Sequence, residues 1–342
     1  MSEVVHGGLD DRELRALGID PSGVLDLSAN LHPDGPPPAV IEALRTSDVS
    51  RYPAPDASPL RAAIATLHEV DERCVIVTPG ASAAIYLVLS ALAAPGDRCA
   101  IFPPTFGEYA RGIEAAGAAI VPYATAPPRF TPALSDNVDL AVLCNPNNPT
   151  GRYLARTEVE AIAARAGVLV LDAAYDWAVE EAWDATELVR AGASVVVIHS
   201  MTKLFAMPGL RIGYILAPPV LADRIRLRQP PWPVGAPEIA AGLAAIATIE
   251  ERRHALPDLQ HRRGILEATF NALSCRTTAS AANFVLAEVG DAPAFRSAML
   301  ARGFAVRDAT SFGLPAWVRI AVPPDARLSR LTAAIEACRH PD

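Results

Sequence analysis

The 342-residue chain contains one lysine, Lys203, against 29 arginines. Arginine replaces lysine in most surface roles, but its guanidinium stays protonated and cannot condense with an aldehyde. A lone retained lysine therefore points to amine chemistry that arginine cannot perform. A compositional drift toward arginine that spared one lysine by chance accounts for the count equally well. Cysteine is scarce too. Cys74, Cys99, Cys144, Cys275 and Cys338 are odd in number, widely spaced and without a C-x-x-C pair, so neither a disulfide framework nor a metal-ligand set is expected. With no secretory pattern at the N-terminus, a reducing cytoplasm is the expected setting. No apolar run approaches the roughly 18 residues needed to cross a bilayer, and no membrane contact is expected. Excess positive charge is also missing. A net charge of −8 leaves no electrostatic footprint for nucleic acid, so the expected ligand is small and any anion must be caught by a local group of arginines.

What the chain does have is enough apolar sequence, 51% of its residues, to bury a sizeable core across two lobes. Short apolar runs alternate with helical patterns from about Arg73 to Ala217, the signature of an α/β domain with a mainly parallel sheet. The runs are Cys74–Val77, Cys99–Phe102, Leu140–Cys144, Val168–Leu171, Val195–His199 and Ile212–Leu216, with helices expected over Ala81–Ala94, Phe106–Ala116 and Thr157–Ala166. Ligands of such sheets collect where loops leave the carboxyl ends of the strands. Prolines 230, 231, 233 and 237 around Trp232 mark a loop between lobes, and an α+β piece follows it. The expected division is an N-terminal arm over 1–35 joining the small domain, a large domain over 36–229 and a small domain over 230–342.

Several motifs fall at the strand ends. Ser200-Met201-Thr202-Lys203 follows an apolar run, with Arg211 eight positions after the lysine in Pro208-Gly209-Leu210-Arg211-Ile212-Gly213-Tyr214. Asp172 closes another run in Asp172-Ala173-Ala174-Tyr175. Hydroxyls and a forked guanidinium suit a phosphate dianion. This order resembles the fold type I pyridoxal 5′-phosphate (PLP) enzymes, the aspartate aminotransferase superfamily. The resemblance implies a large domain with a seven-stranded, mainly parallel sheet between helices and a smaller α+β domain. It also implies that Lys203 holds the cofactor as a Schiff base, that Ser200, Thr202 and Arg211 bind its phosphate, and that Asp172 keeps the pyridine nitrogen protonated so that the ring is an electron sink. By the same resemblance Tyr175, and Asn148 within Asn145-Pro146-Asn147-Asn148-Pro149-Thr150-Gly151, bond the phenolic oxygen. Gly80, Ala81 and Ser82, at a strand-to-helix turn, cradle the phosphate. Phe106 stacks on the ring, and Tyr52 reaches the phosphate of a partner subunit, which makes the expected unit a homodimer.

The segments His6-Gly7-Gly8, Asp26-Leu27-Ser28-Ala29-Asn30, Pro104-Thr105-Phe106-Gly107-Glu108-Tyr109 and Arg307-Asp308-Ala309-Thr310-Ser311-Phe312-Gly313-Leu314, followed by Val318-Arg319-Ile320-Ala321, narrow the likeness. They are most similar to the L-threonine-O-3-phosphate decarboxylases of cobalamin biosynthesis, and histidinol-phosphate aminotransferases share much of the phrasing. The decarboxylase likeness implies a substrate with a carboxylate and a phosphate, held by His6, Asn30, Arg307 and Arg319, with Lys203, Asp172 and Tyr175 as the catalytic set. Leu9 and His32 stand where that family usually carries asparagine. The alternative the sequence leaves open is a PLP-dependent aminotransferase resembling those for histidinol phosphate, acting on that compound or on another amino acid.

Overall fold

The structure, a computed structural model, describes residues 7–339. Its strands, in chain order, are β1 (Leu25–Asp26), β2 (Val75–Thr78), β3 (Arg98–Ile101), β4 (Ala119–Pro122), β5 (Val138–Cys144), β6 (Ala166–Asp172), β7 (Val195–Ser200), β8 (Gly213–Leu216), β9 (Phe284–Glu288), β10 (Phe304–Ala305), β11 (Arg307–Asp308) and β12 (Trp317–Ala321). Seven of them form one sheet in the order β2-β8-β7-β6-β5-β3-β4, in which only β8 runs against its neighbours. Helices cover both faces, which is why the central strands read as continuous apolar runs. In β7, Val195 and Val197 enter one core while Val196 and Ile198 enter the other. The pleat sends successive side chains to opposite faces.

The expected runs are all strands of this sheet, and β4 is the one they missed. Four residues at a sheet edge, ending in Pro122 and largely outside the core, carry too little apolar signal to register. A second, three-stranded antiparallel sheet, β11-β12-β9, forms with the helices Leu256–Ala272, Ala292–Leu300 and Asp325–Arg339. Pro257 sits in the first turn of its helix, where a missing N–H costs nothing, so the helical pattern breaks just before it. The N-terminal arm is stitched to this lobe. β1 pairs in parallel with β10, and Leu27 shares the small core with Phe304 and Val306.

Residues 236–247, placed on sequence with the second lobe, pack instead on the helices Pro38–Arg45 and Ser58–His68 of the first. Ile239, Ala241 and Ala245 lie in the larger core, and a Cβ on Gly242 would stand 2.8 Å from Leu60. Small residues let the two helices approach closely, so an apolar helix was available to the wrong lobe on pattern alone.

Candidate active site

The parallel strands stop along one line, and their ends open into a cavity of about 550 Å³. Ser200 ends β7 and Asp172 ends β6, so register brings the two segments side by side. Among its lining residues are Ala81, Ser82, Phe106, Asn148, Asp172, Tyr175, Ser200, Thr202, Lys203, Arg211, Arg307 and Arg319. These are twelve of the sixteen residues singled out on sequence. Gly80 and Asn30 stand immediately behind it. Tyr52 does not line it: it is 85% exposed and leans on Trp232, ring centroids 5.1 Å apart. His6 lies outside the described residues.

Lys203 sits in the single helical turn Met201–Leu204, and its Nζ donates to the Ala29 carbonyl at 2.8 Å. The His32 N–H donates back to the Lys203 carbonyl at 3.0 Å, so the arm grips the lysine's turn twice. Enclosure, aided by the Arg319 and Arg211 charges, lowers the Lys203 ammonium to about 8. About a tenth of the amine is therefore unprotonated, and nucleophilic, at pH 7, far more than for a free lysine. The buried Asp172 accepts from the Tyr109 hydroxyl at 2.6 Å and from the Ala174 N–H at 3.0 Å. Burial nevertheless pushes its carboxyl up, a cost that a positive charge placed against it would offset.

Around the turn after β2, Gly80 holds φ +89°, and a Cβ there would meet the Arg211 guanidinium at 2.9 Å. Glycine thus lets Arg211 lie against the start of the twelve-residue helix Ala81–Leu92, where unpaired N–H groups and the helix dipole favour an anion. The Thr202 hydroxyl is buried without a partner. A donor set of guanidinium, hydroxyls and helix N-terminus converges with one hydroxyl still unsatisfied.

The opposite wall comes from the small lobe. β11 and β12 pair Arg307 with Arg319 directly across the strands, which puts both side chains on one face of the sheet. Arg319, 4% exposed, donates to Asn148 Oδ1 and to the Ser28 carbonyl. Burial lowers its guanidinium to about 10, and its Nε has no partner. Asn148, its oxygen taken by Arg319, keeps Nδ2 as a donor. Arg307 donates to Ser311 Oγ at 2.6 Å and lies over the Phe312 ring. The Tyr175 hydroxyl is 3.4 Å from Asn30 Nδ2, and Asn30 adopts φ +50°.

Three participants carried no role on sequence: Tyr109, the Ala29 carbonyl and the Ser28 carbonyl. Tyr109 was detectable, since it closes the same Pro104–Tyr109 segment that holds Phe106 and stands in the first turn of the helix that begins at Glu108. The carbonyls were not, because a main-chain acceptor has no residue identity. His32, one of the two departures, is buried with Nδ1 2.9 Å from Arg252, and burial lowers it to about 4. It braces the arm from behind the cavity.

The family model for class I and II aminotransferases matches residues 22–336. The histidinol-phosphate aminotransferase of Halorubrum lacusprofundi is 33% identical over 331 residues, covering 93% of this chain and 90% of that protein. Among solved structures, L-threonine-O-3-phosphate decarboxylase from Porphyromonas gingivalis superposes with a TM-score of 0.82 at 28% identity, over 91% of this chain and 98% of that one. The histidinol-phosphate aminotransferase of Sinorhizobium meliloti, in complex with pyridoxal 5′-phosphate, has the same fold, with a TM-score of 0.85 at 22% identity over 97% and 95% of the two chains.

Proposed function

Because the chain belongs to the class I and II aminotransferase family, we propose that its cavity decarboxylates L-threonine O-3-phosphate to (R)-1-amino-2-propanol O-2-phosphate, a step of cobalamin biosynthesis. The cofactor is pyridoxal 5′-phosphate, whose ring, when bound, accepts the electron pair of a bond broken at the substrate's α-carbon. The residues present fit it. In this reading Ser200, Thr202, Arg211 and the Gly80-Ala81-Ser82 turn take the phosphate, which gives the Thr202 hydroxyl a partner. Asp172 takes the ring nitrogen, Tyr175 and Asn148 Nδ2 take the phenolic oxygen, Phe106 covers one ring face, and Lys203 makes the covalent bond. In a homodimer, the exposed Tyr52 reaches the partner's phosphate.

The observation that carries the substrate reading is the cross-strand pair Arg307 and Arg319, both under 10% exposed on one cavity wall. Two buried guanidiniums call for two anions, and phosphothreonine carries both a carboxylate and a phosphate. Arg319, beside Asn148 and Tyr175, is assigned the carboxylate. Arg307, with Ser311, is assigned the phosphate, with His6 completing that end. Fixing both anions would set which α-carbon bond is presented to the cofactor for cleavage. Lys203, freed when the substrate's amine takes its place on the cofactor and protonated as its ammonium, would be the acid that returns a proton to the α-carbon.

A second reading, transamination of histidinol phosphate, has the names of the curated relatives in its favour. One experiment separates the two. Purified enzyme offered phosphothreonine alone is expected to release CO₂ with no demand for 2-oxoglutarate. Inertness toward phosphothreonine, together with amino transfer from histidinol phosphate to 2-oxoglutarate, establishes the second reading instead.

A further inference from the structure

Behind the turn that carries Lys203 lies a second cavity, of about 630 Å³. The turn is the partition: Lys203 lines the catalytic cavity, whereas Met201, Leu204 and Phe205 line the second, and Ser200 borders both. Met201, Leu204 and Phe205 are three and four positions apart and so share one face of the turn, whereas Lys203, one or two positions from each, falls on the other.

The second cavity contains a polar group with no satisfied role. His199 is 8% exposed, lines the cavity and leaves Nε2 without a partner, while its Nδ1 stands 3.6 Å from Asp176 Oδ2. Asp176 lines the same cavity, and among the described residues no arginine bridges it. The three arginines of the wall are already engaged: Arg190 with Asp184 at 2.6 Å, Arg253 with Glu250 at 2.6 Å, and Arg252 with His32 and the Gly35 carbonyl. Trp177 and Trp183 supply ring surface only, since their indole N–H groups donate to the Ala174 and Leu154 carbonyls.

We propose that this cavity is a second ligand site, for an arylalkylamine: an aromatic ring joined by a short alkyl chain to a primary ammonium. The ammonium sits at Asp176, whose carboxyl accepts from the Trp177 main-chain N–H and has no arginine bridged to it among the described residues, and a second N–H of the same group reaches His199 Nε2. The ring packs against Trp177 and Trp183. Burial, with Asp184 nearby and Arg253 opposing it, pushes the Asp176 carboxyl up to about 7, so an ammonium there relieves a cost the empty cavity imposes. Because the ligand bears on Met201, Leu204 and Phe205, it acts on the turn that positions Lys203. The site does not depend on which substrate the catalytic cavity takes.

The test uses holoenzyme whose lysine bond has been reduced with borohydride, so that an amine cannot react in the catalytic cavity. Titration with 2-phenylethylamine, followed by calorimetry and by tryptophan fluorescence, is expected to show one saturable site. The neutral 2-phenylethanol and the anionic 3-phenylpropionate should bind at least about tenfold more weakly, as expected for loss of a charge-assisted hydrogen bond. Asp176→Asn should weaken the amine by about the same factor. Leu256→Trp, which fills the cavity and removes no polar group, should abolish binding while cofactor content and thermal unfolding stay as in the parent. Equal binding of the three probes overturns the proposal, as does binding unchanged by Leu256→Trp or binding that vanishes once the catalytic cavity is blocked. If Asp176→Asn does not fold, Leu256→Trp decides.

Discussion

One wall of the catalytic cavity, with Asp172, Ser200 and Lys203, is built from the ends of adjacent parallel strands deep in the large sheet. The other, with Arg307 and Arg319, is built from a two-residue strand and its partner in the small lobe. The first wall is held by a continuous ladder and two flanking cores. The second is held by long-range contacts: Arg319 reaches Ser28 in the arm and Asn148 in the large lobe, 291 and 171 positions away in sequence. On the proposed reading, the groups that act on the cofactor stand on elements held by a continuous ladder. The groups that would choose the substrate stand where lobes and arm meet.

Variants of the first wall should cost the most. Lys203→Ala removes the only side-chain amine and is expected to lower turnover by about 10⁴ or more, since it deletes both the nucleophile and the proton donor. Borohydride followed by peptide mapping should label Lys203 in the parent and no internal residue in the variant. With cofactor-free enzyme, the rate of imine formation on adding pyridoxal 5′-phosphate should rise as pH passes through about 8, where the enclosed amine loses its proton, and not near the 10.5 of a free lysine. Asp172→Asn should keep fold and cofactor while costing about 10²–10³ in kcat, the usual loss for one electrostatic partner of the reacting group. A near-normal kcat would break the distinction between the two walls.

The same contrast explains what could be read from the sequence. Ser200, Lys203 and Arg211 fall within twelve positions, and Asp172 and Tyr175 within four, so their spacing is local and survives in the primary structure. The sheet was legible for a related reason: strands buried on both faces are written as uninterrupted Val, Leu and Ile. The exposed edge strand β4 was not, nor was the placement of the helix 236–247, because an apolar helix face does not say which core it enters. Arg307 and Arg319 were found as residues, but their direct pairing across β11 and β12 is a matter of register, which the eleven intervening positions do not specify. The attachment of the arm to Lys203 and Arg319 runs through main-chain carbonyls and leaves no trace in residue identity.

Variants of the second wall should have smaller and unequal effects. Arg307→Lys keeps a charge but loses the fork shared with Ser311 and the contact with the Phe312 ring, so KM for phosphothreonine should rise with kcat largely kept. Arg319→Lys loses the fork that spans Asn148 and Ser28, so it should lower kcat and let the wrong bond align, seen as slow conversion of the cofactor to its amine form. Equal effects on KM and kcat in the two variants would show that the pair acts as one anion clamp.

The smallest expected effect tests whether the first wall is as rigid as its ladder suggests. Tyr109 touches no cofactor group in the proposed arrangement. It acts through Asp172, whose Oδ2 it holds at 2.6 Å while the Ala174 N–H holds Oδ1. Tyr109→Phe keeps the ring that packs edge-on against Phe106 but removes one hydrogen bond to a buried carboxylate. Such a bond is worth about 1.5–3 kcal/mol, and part of it is recovered because a bound cationic ring nitrogen still faces the other lone pairs. Losing a donor that lowers the Asp172 carboxyl raises its pKa further, so the deficit should grow as pH falls and shrink as pH rises. About a tenfold loss in kcat at neutral pH, with KM unchanged and an acid limb shifted upward, is the expected outcome. A loss in KM alone, or one independent of pH, would mean that Tyr109 serves only to pack the helix.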